Sequence, residues 1–153
     1  AEELFERLSH ISAELTVETL EKIENGTVTP KKQDEGKATY APIIKKEMAL
    51  LDFENMTAEE IHNAVRGYYS WPCAYFFLEN KRIKVIKSLL GGNTAAKAGT
   101  VTESENELII ACKNGTLIRL TEVQPEGSKP MSAKQMLCGR PIKAGTVLGK
   151  SNG

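Results

Sequence analysis

A chain of 153 residues with 41% apolar content can bury a core and hold one domain, or one domain plus part of another. No apolar run is long enough to span a membrane, and the N-terminus carries no signal-peptide pattern. Three isolated thiols, Cys73, Cys112 and Cys138, lack a CxxC spacing or a neighbouring histidine, which argues against a disulfide scaffold or a zinc site and for reduced thiols in a cytosolic protein.

The sequence opens on AEELFERL without an initiator Met, as a piece of something longer would. Leu4, Phe5, Leu8, Ile11, Leu15, Leu20 and Ile23 recur mostly at helical spacing, and Asn25-Gly26 supplies a stop. The pattern predicts an acidic amphipathic helix over 2–24 that needs an apolar surface to cover, with room for a break near Ser12. Seven glutamates against Arg7 and Lys22 leave residues 1–26 at −5, while 18 Lys/Arg and 13 Asp/Glu leave residues 27–153 at +5. The split points the second part toward an anionic partner. Residues 27–46 are polar, hold two prolines and show no sustained period, so they read as a linker with a short extended piece around Thr39–Ala41. KKEMALLDF is expected to begin a short helix with Met48, Leu50 and Leu51 inward.

Thr57-x-x-Glu60 fits a capping box, in which each side chain satisfies a free amide at a helix start. Ile61, Ala64 and Val65 form the buried stripe of that helix and Gly67 ends it. Tyr68, Tyr69, Trp71 and Pro72 then feed the strand CAYFFLE, and a tight turn at Asn80-Lys81 leads into RIKVIKSLL. On this return strand Arg82, Lys84 and Ile86 are expected on one face, with Ile83, Val85 and Lys87 on the other. After the loop GGNTAAKAG come short strands at 100–102, 107–112 and 116–124, the last two joined by Asn114-Gly115, a strong hairpin signal. Ser132-x-x-Gln135 caps a short helix carrying Met136 and Leu137, and Gly145–Leu148 reads as a final strand.

About five short strands with an inserted helix predict an α+β fold built on a small, partly open OB-like barrel, with an SH3-like barrel as the competing architecture. Fold alone assigns no function. Trp71-Pro72 reads first as a structural corner that fixes how the helix feeds the sheet. Lys81, Arg82, Lys84 and Lys87 read equally well as a solvated hairpin or as a phosphate-binding ribbon. No nucleotide-cradling glycine loop, nucleophile motif or other catalytic constellation is present.

The joint order of TYAPIIKKEMALLDF, AEEIHNAVRGYYSWPCAYFFLENKRIKV and LTEVQPEGSKPMSAKQMLCGRPIKAGTVL resembles the C-terminal region of the methionyl-tRNA formyltransferase family. The stretch EELFERL…TLEKIENGTVTPKKQDE resembles the end of that family's catalytic domain. The RG…PWP corner is also similar to sugar-nucleotide formyltransferases and formyltetrahydrofolate dehydrogenases, whereas QPEGSKPMSA favours the tRNA enzyme.

The resemblance implies residues 1–26 as the terminal helix of a Rossmann-like catalytic domain, 27–46 as the linker and 47–153 as an OB-like tRNA-binding domain. It implies a cytoplasmic, monomeric enzyme of translation initiation, with neither metal nor membrane. That enzyme moves a formyl group from 10-formyltetrahydrofolate to the amino group of methionyl initiator tRNA. The family's catalytic Asn, His and Asp and its folate pocket precede this sequence, so the chain alone is expected to be inactive and to bind no folate. What it implies here is a tRNA contact surface. Lys45 and Lys46 stand at the linker exit, and Lys46, Arg66 and Lys129 match family positions. Lys81, Arg82 and Lys84 form the basic hairpin. Departures also occur: Ile43 stands where the family usually has Lys, Phe53 replaces Trp, Ser70 replaces Asn or Asp, and Cys73 replaces Gly. These changes are expected to be tolerable for folding. Three rival readings remain beside it: the C-terminal part of a sugar-nucleotide formyltransferase, a free-standing nucleic-acid-binding barrel, and a structural module with a merely solvated hairpin.

Overall fold

The computed structural model describes residues 2–148. They divide into two compact units, residues up to Ile44 and residues from Lys45 onward. In the first, helix α1 (Glu2–Glu24) is continuous, so there is no break at Ser12. Ser9, Thr16 and Thr19, poor helix formers, bond their hydroxyls to carbonyls three or four residues back. The apolar stripe is present but uncovered: α1 buries no residue, and Leu4 through Ile23 are exposed. One 3₁₀ turn follows at Glu35–Lys37, capped by the Asp34 carboxylate.

The second unit is a mixed α/β fold around one curled antiparallel sheet, a half-barrel. Its strands are β1 (Tyr75–Leu78), β2 (Lys81–Asn93), β3 (Val101–Glu103), β4 (Leu108–Ala111), β5 (Thr116–Pro125) and β6 (Met131–Ser132). They run in the order β1-β2-β5-β4-β3, with β6 attached to β5. Helix α2 (Ala58–Gly67) and helix α3 (Ala133–Gly139) supply further walls. Both start at the capping boxes expected, Thr57 with Glu60 and Ser132 with Gln135. Alternation does the rest: Phe76 on β1 and Ile83 and Val85 on β2 face a core shared with Ile61, Val65, Leu108, Ile110, Ile118, Leu120 and Val123. The half-buried His62 on α2 places Nδ1 3.0 Å from the hydroxyl of Ser88, a buried polar residue on β2.

Several local expectations are corrected. KKEMALLDF forms only a 3₁₀ turn, Lys46–Ala49, after which Leu50 is extended. Inward positions therefore alternate as Ala49, Leu51 and Phe53, and Met48 points out at 44% exposure. The hairpin turn is Glu79-Asn80, both left-handed (φ 49° and 63°), one residue earlier than expected. Moving a two-residue turn by one position slides the pairing by two, so the faces survive. A bulge between Val85 and Lys87 then turns Lys87 away from the core, and its ammonium pairs with Glu122 on β5 at 2.7 Å. Gly91–Asn93 extend β2 instead of beginning a loop. No strand forms over Gly145–Leu148; only the bridge Thr100–Val147 does. Trp71 is 55% exposed, whereas Cys73 and Ala74 just after it are buried.

Both outer strands have neighbours that are not strands. On the β1 side, Leu51 N–H donates to the Tyr75 carbonyl at 2.8 Å. On the β3 side, Val101 N–H donates to the Thr146 carbonyl and Gly145 N–H to the Val101 carbonyl, each at 2.8 Å.

Burial also separates the thiols. Cys112 is fully buried and desolvation pushes its thiol up to about 12. Burial raises Cys73 as well, opposed by nearby Lys84 and Arg82. Cys138 is exposed. A disulfide-exchange reagent at mildly alkaline pH is thus expected to modify Cys138 alone in the folded chain and all three in denaturant, counted by mass spectrometry. Native-state labelling of Cys112 at the rate of Cys138 would contradict this packing.

Candidate nucleic-acid interface

The basic residues singled out in the sequence do not form one cluster. Arg82 and Lys84 lie one pleat apart on the outward face of β2, because Ile83 and Val85 take the inward one. Among the described residues, no carboxylate is within ion-pairing distance of either, whereas Lys87 is neutralised by Glu122. The Glu122 hydrogen bond and charge raise the Lys87 ammonium. The Arg82 and Lys84 charges are therefore open to an outside anion, and that of Lys87 is already matched.

The end of β5 runs beside them. Lys84 pairs with Gln124, and Glu126 N–H donates to the Arg82 carbonyl at 3.1 Å. The tight turn that follows is tied by Ser128 N–H to the Pro125 carbonyl, 3.0 Å, and by the Gln124 amide to the Ser128 carbonyl, 2.9 Å. Exposed Lys129 leaves this turn, which brings it to the same end of the sheet.

The other expected positions lie elsewhere. Lys45 and Lys46 are exposed just before the segment whose Leu50 bridges to Tyr75, at the β1 edge. Arg66 is exposed in the last turn of α2, the helix that packs Ile61 and Val65 on the core side of the sheet. Lys81 sits at the hairpin tip on the inward side of β2. There it lines a cavity of about 860 Å³ with Leu78, Arg140, Ile142 and Lys143. Arg140 and Lys143 were not singled out in the sequence, since neither stands in a periodic element and only the chain's return brings them to the β1–β2 turn.

Set against known proteins, residues 43–141 match the family described as formyl transferase, C-terminal domain. This chain belongs to that family. The formyl transferase C-terminal domain accounts for most of the second unit. Among relatives, the methionyl-tRNA formyltransferase of Thermodesulfovibrio yellowstonii is 46% identical over 146 residues, 95% of this chain and 46% of that protein. The methionyl-tRNA formyltransferase of Bacillus subtilis is 42% identical over 151 residues, 97% of this chain and 47% of that one. The chain thus spans about half the length of the curated relatives it matches. A solved structure of a HypX variant from Aquifex aeolicus shares the fold, with a TM-score of 0.61 at 19% identity over 86% of this chain and 24% of that one. HypX from the same organism in complex with tetrahydrofolic acid gives 0.59 at 18%, over 86% of this chain and 24% of that one.

Proposed function

We propose that this chain is the tRNA-contacting portion of a methionyl-tRNA formyltransferase. The whole enzyme moves the formyl group of 10-formyltetrahydrofolate to the amino group of methionyl initiator tRNA, in the cytoplasm, as a monomer, at the start of translation. In this reading residues 1–26 close the catalytic domain, 27–46 link, and 47–153 hold tRNA. Chemistry and folate belong to the half of the relatives that this chain does not span. The reading is supported by relatives of that name that match 95–97% of this chain across about half of their own length. The observation that carries the RNA contact is the Arg82–Lys84 pair, two outward cations with no ion-pair partner among the described residues.

Phosphate contact has a direct signature, because each neutralised phosphate releases counterions and steepens the salt dependence. The chain is titrated with initiator and elongator tRNA over a range of salt, as wild type and as Arg82→Ala/Lys84→Ala. Binding that weakens with salt is expected, with a log–log slope reduced by about 1–2 in the double variant. Little preference between the tRNAs is expected, since phosphate contacts position without specifying. No binding at low salt would sink the reading and favour a sugar-nucleotide formyltransferase, which has no use for tRNA.

A further inference from the structure

Two rings stand on the outward face of the hairpin, where polar side chains would serve a merely solvated surface. In the β1–β2 register Tyr75 is opposite Lys84 and Phe77 is opposite Arg82, so aromatics and cations share one patch. Tyr75 and Phe77 meet edge to face, 5.6 Å between centroids and 89° between planes. Arg82 holds its guanidinium carbon 5.7 Å from the Tyr75 centroid, a cation–π contact that presents a second flat group. Neither ring joins the core or packs against it; Phe76 and Ile83, between them in the ladder, do that. Beside Lys84 the patch opens into a shallow cleft of about 110 Å³ walled by Arg82, Lys84, Gln124, Pro125, Glu126 and Gly127.

A nucleic-acid duplex offers such a surface phosphates, sugars and base edges but no base face, because its bases are stacked on one another. The cations would be satisfied and the rings would meet no such face. An unpaired nucleotide carries a π face and a phosphate on one flexible unit, and both halves of the patch then have a partner. We infer that the outward face of the β1–β2 hairpin takes an unpaired nucleotide of RNA, its base stacked on the Tyr75–Arg82 pair and its phosphate on Lys84. This rests on the RNA-contact reading and narrows it to a single-stranded segment.

The test compares a short unstructured RNA with the same strand annealed to its complement, each titrated with this chain over a range of salt. Wild type is expected to prefer the single strand. Tyr75→Ala should weaken single-strand binding roughly 5- to 150-fold with an unchanged salt slope. Tyr75→Phe, which keeps a ring, should retain the affinity. Arg82→Ala/Lys84→Ala, which removes the one phosphate contact assigned to Lys84, should instead flatten the single-strand slope by about 0.7. Tyr75→Leu keeps apolar bulk in the strand without a π face and should reproduce the alanine loss, which covers the case of an alanine variant that does not fold. Wild-type affinity in Tyr75→Leu, or an equal loss on single strand and duplex, overturns the stacking role. A flattened slope in the double variant alongside that result leaves the phosphate reading standing. No binding of wild type to either RNA overturns both.

Discussion

Phe76→Ala is expected to remove a large part of the stability of the second unit and to move its urea midpoint far below that of wild type. Phe76 is 2% exposed, points inward from β1 opposite Ile83, and meets Phe53 edge to face at 5.6 Å. Truncating a buried Phe to Ala costs about 3–5 kcal/mol in lost transfer energy and cavity. Total stabilities are about 5–15 kcal/mol, so one such loss consumes much of the margin. The consequence reaches the candidate interface, because Tyr75 and Phe77 flank Phe76 and the strand that presents them is docked through it. Urea melts followed by circular dichroism check this. Phe76→Leu, closer in volume, should cost about 1.5 kcal/mol or less. A Phe76→Ala midpoint within experimental error of wild type would mean that β1 is not anchored as described.

Gly115→Ala is expected to destabilise by about 2–3 kcal/mol, although it adds one methyl group to a turn. Gly115 is left-handed (φ 68°), and a Cβ there would lie 2.7 Å from the Thr94 carbonyl oxygen. That neighbour cannot easily yield, since Thr94 N–H donates to the Gly115 carbonyl at 2.8 Å. Gly127→Ala separates the two effects: its φ is 75°, but nothing lies within 4 Å of the added atom. It should cost about 1–2 kcal/mol, the backbone penalty alone. Equal losses in the two variants, measured by thermal melting, would show that the Thr94 contact contributes nothing.

The parts of this fold legible in the sequence are those whose cause is local. Thr57 with Glu60 and Ser132 with Gln135 announce two helices because the capping groups sit three residues apart in the chain itself. Asn114-Gly115 announces a hairpin because left-handed backbone is cheap there. What escaped reading depends on partners far away in sequence. β6 exists only because Met131 and Ser132 lie beside Val123 and Glu122. Lys87 leaves the core face because a bulge lets it reach Glu122. The candidate site divides the same way. Alternation placed Arg82 and Lys84 together, but it could not show that Tyr75 and Phe77 stand opposite them, since that needs the pairing register. Two of the departures from the family pattern have a cost that only backbone angles reveal. Ser70 (φ 71°) and Cys73 (φ 67°) occupy left-handed positions. Asn, Asp and Gly adopt that conformation more cheaply than Ser or Cys.

The coverings on the two outer strands bear on how this chain behaves in company. A half-barrel that does not close has two rows of backbone groups able to template a strand from another molecule, the usual start of edge-to-edge aggregation. Here part of each row is already spoken for, by Leu51 on Tyr75 and by Thr146 and Gly145 on Val101. Short irregular segments thus act as partial stoppers, leaving less of the rim free to recruit a strand from another molecule.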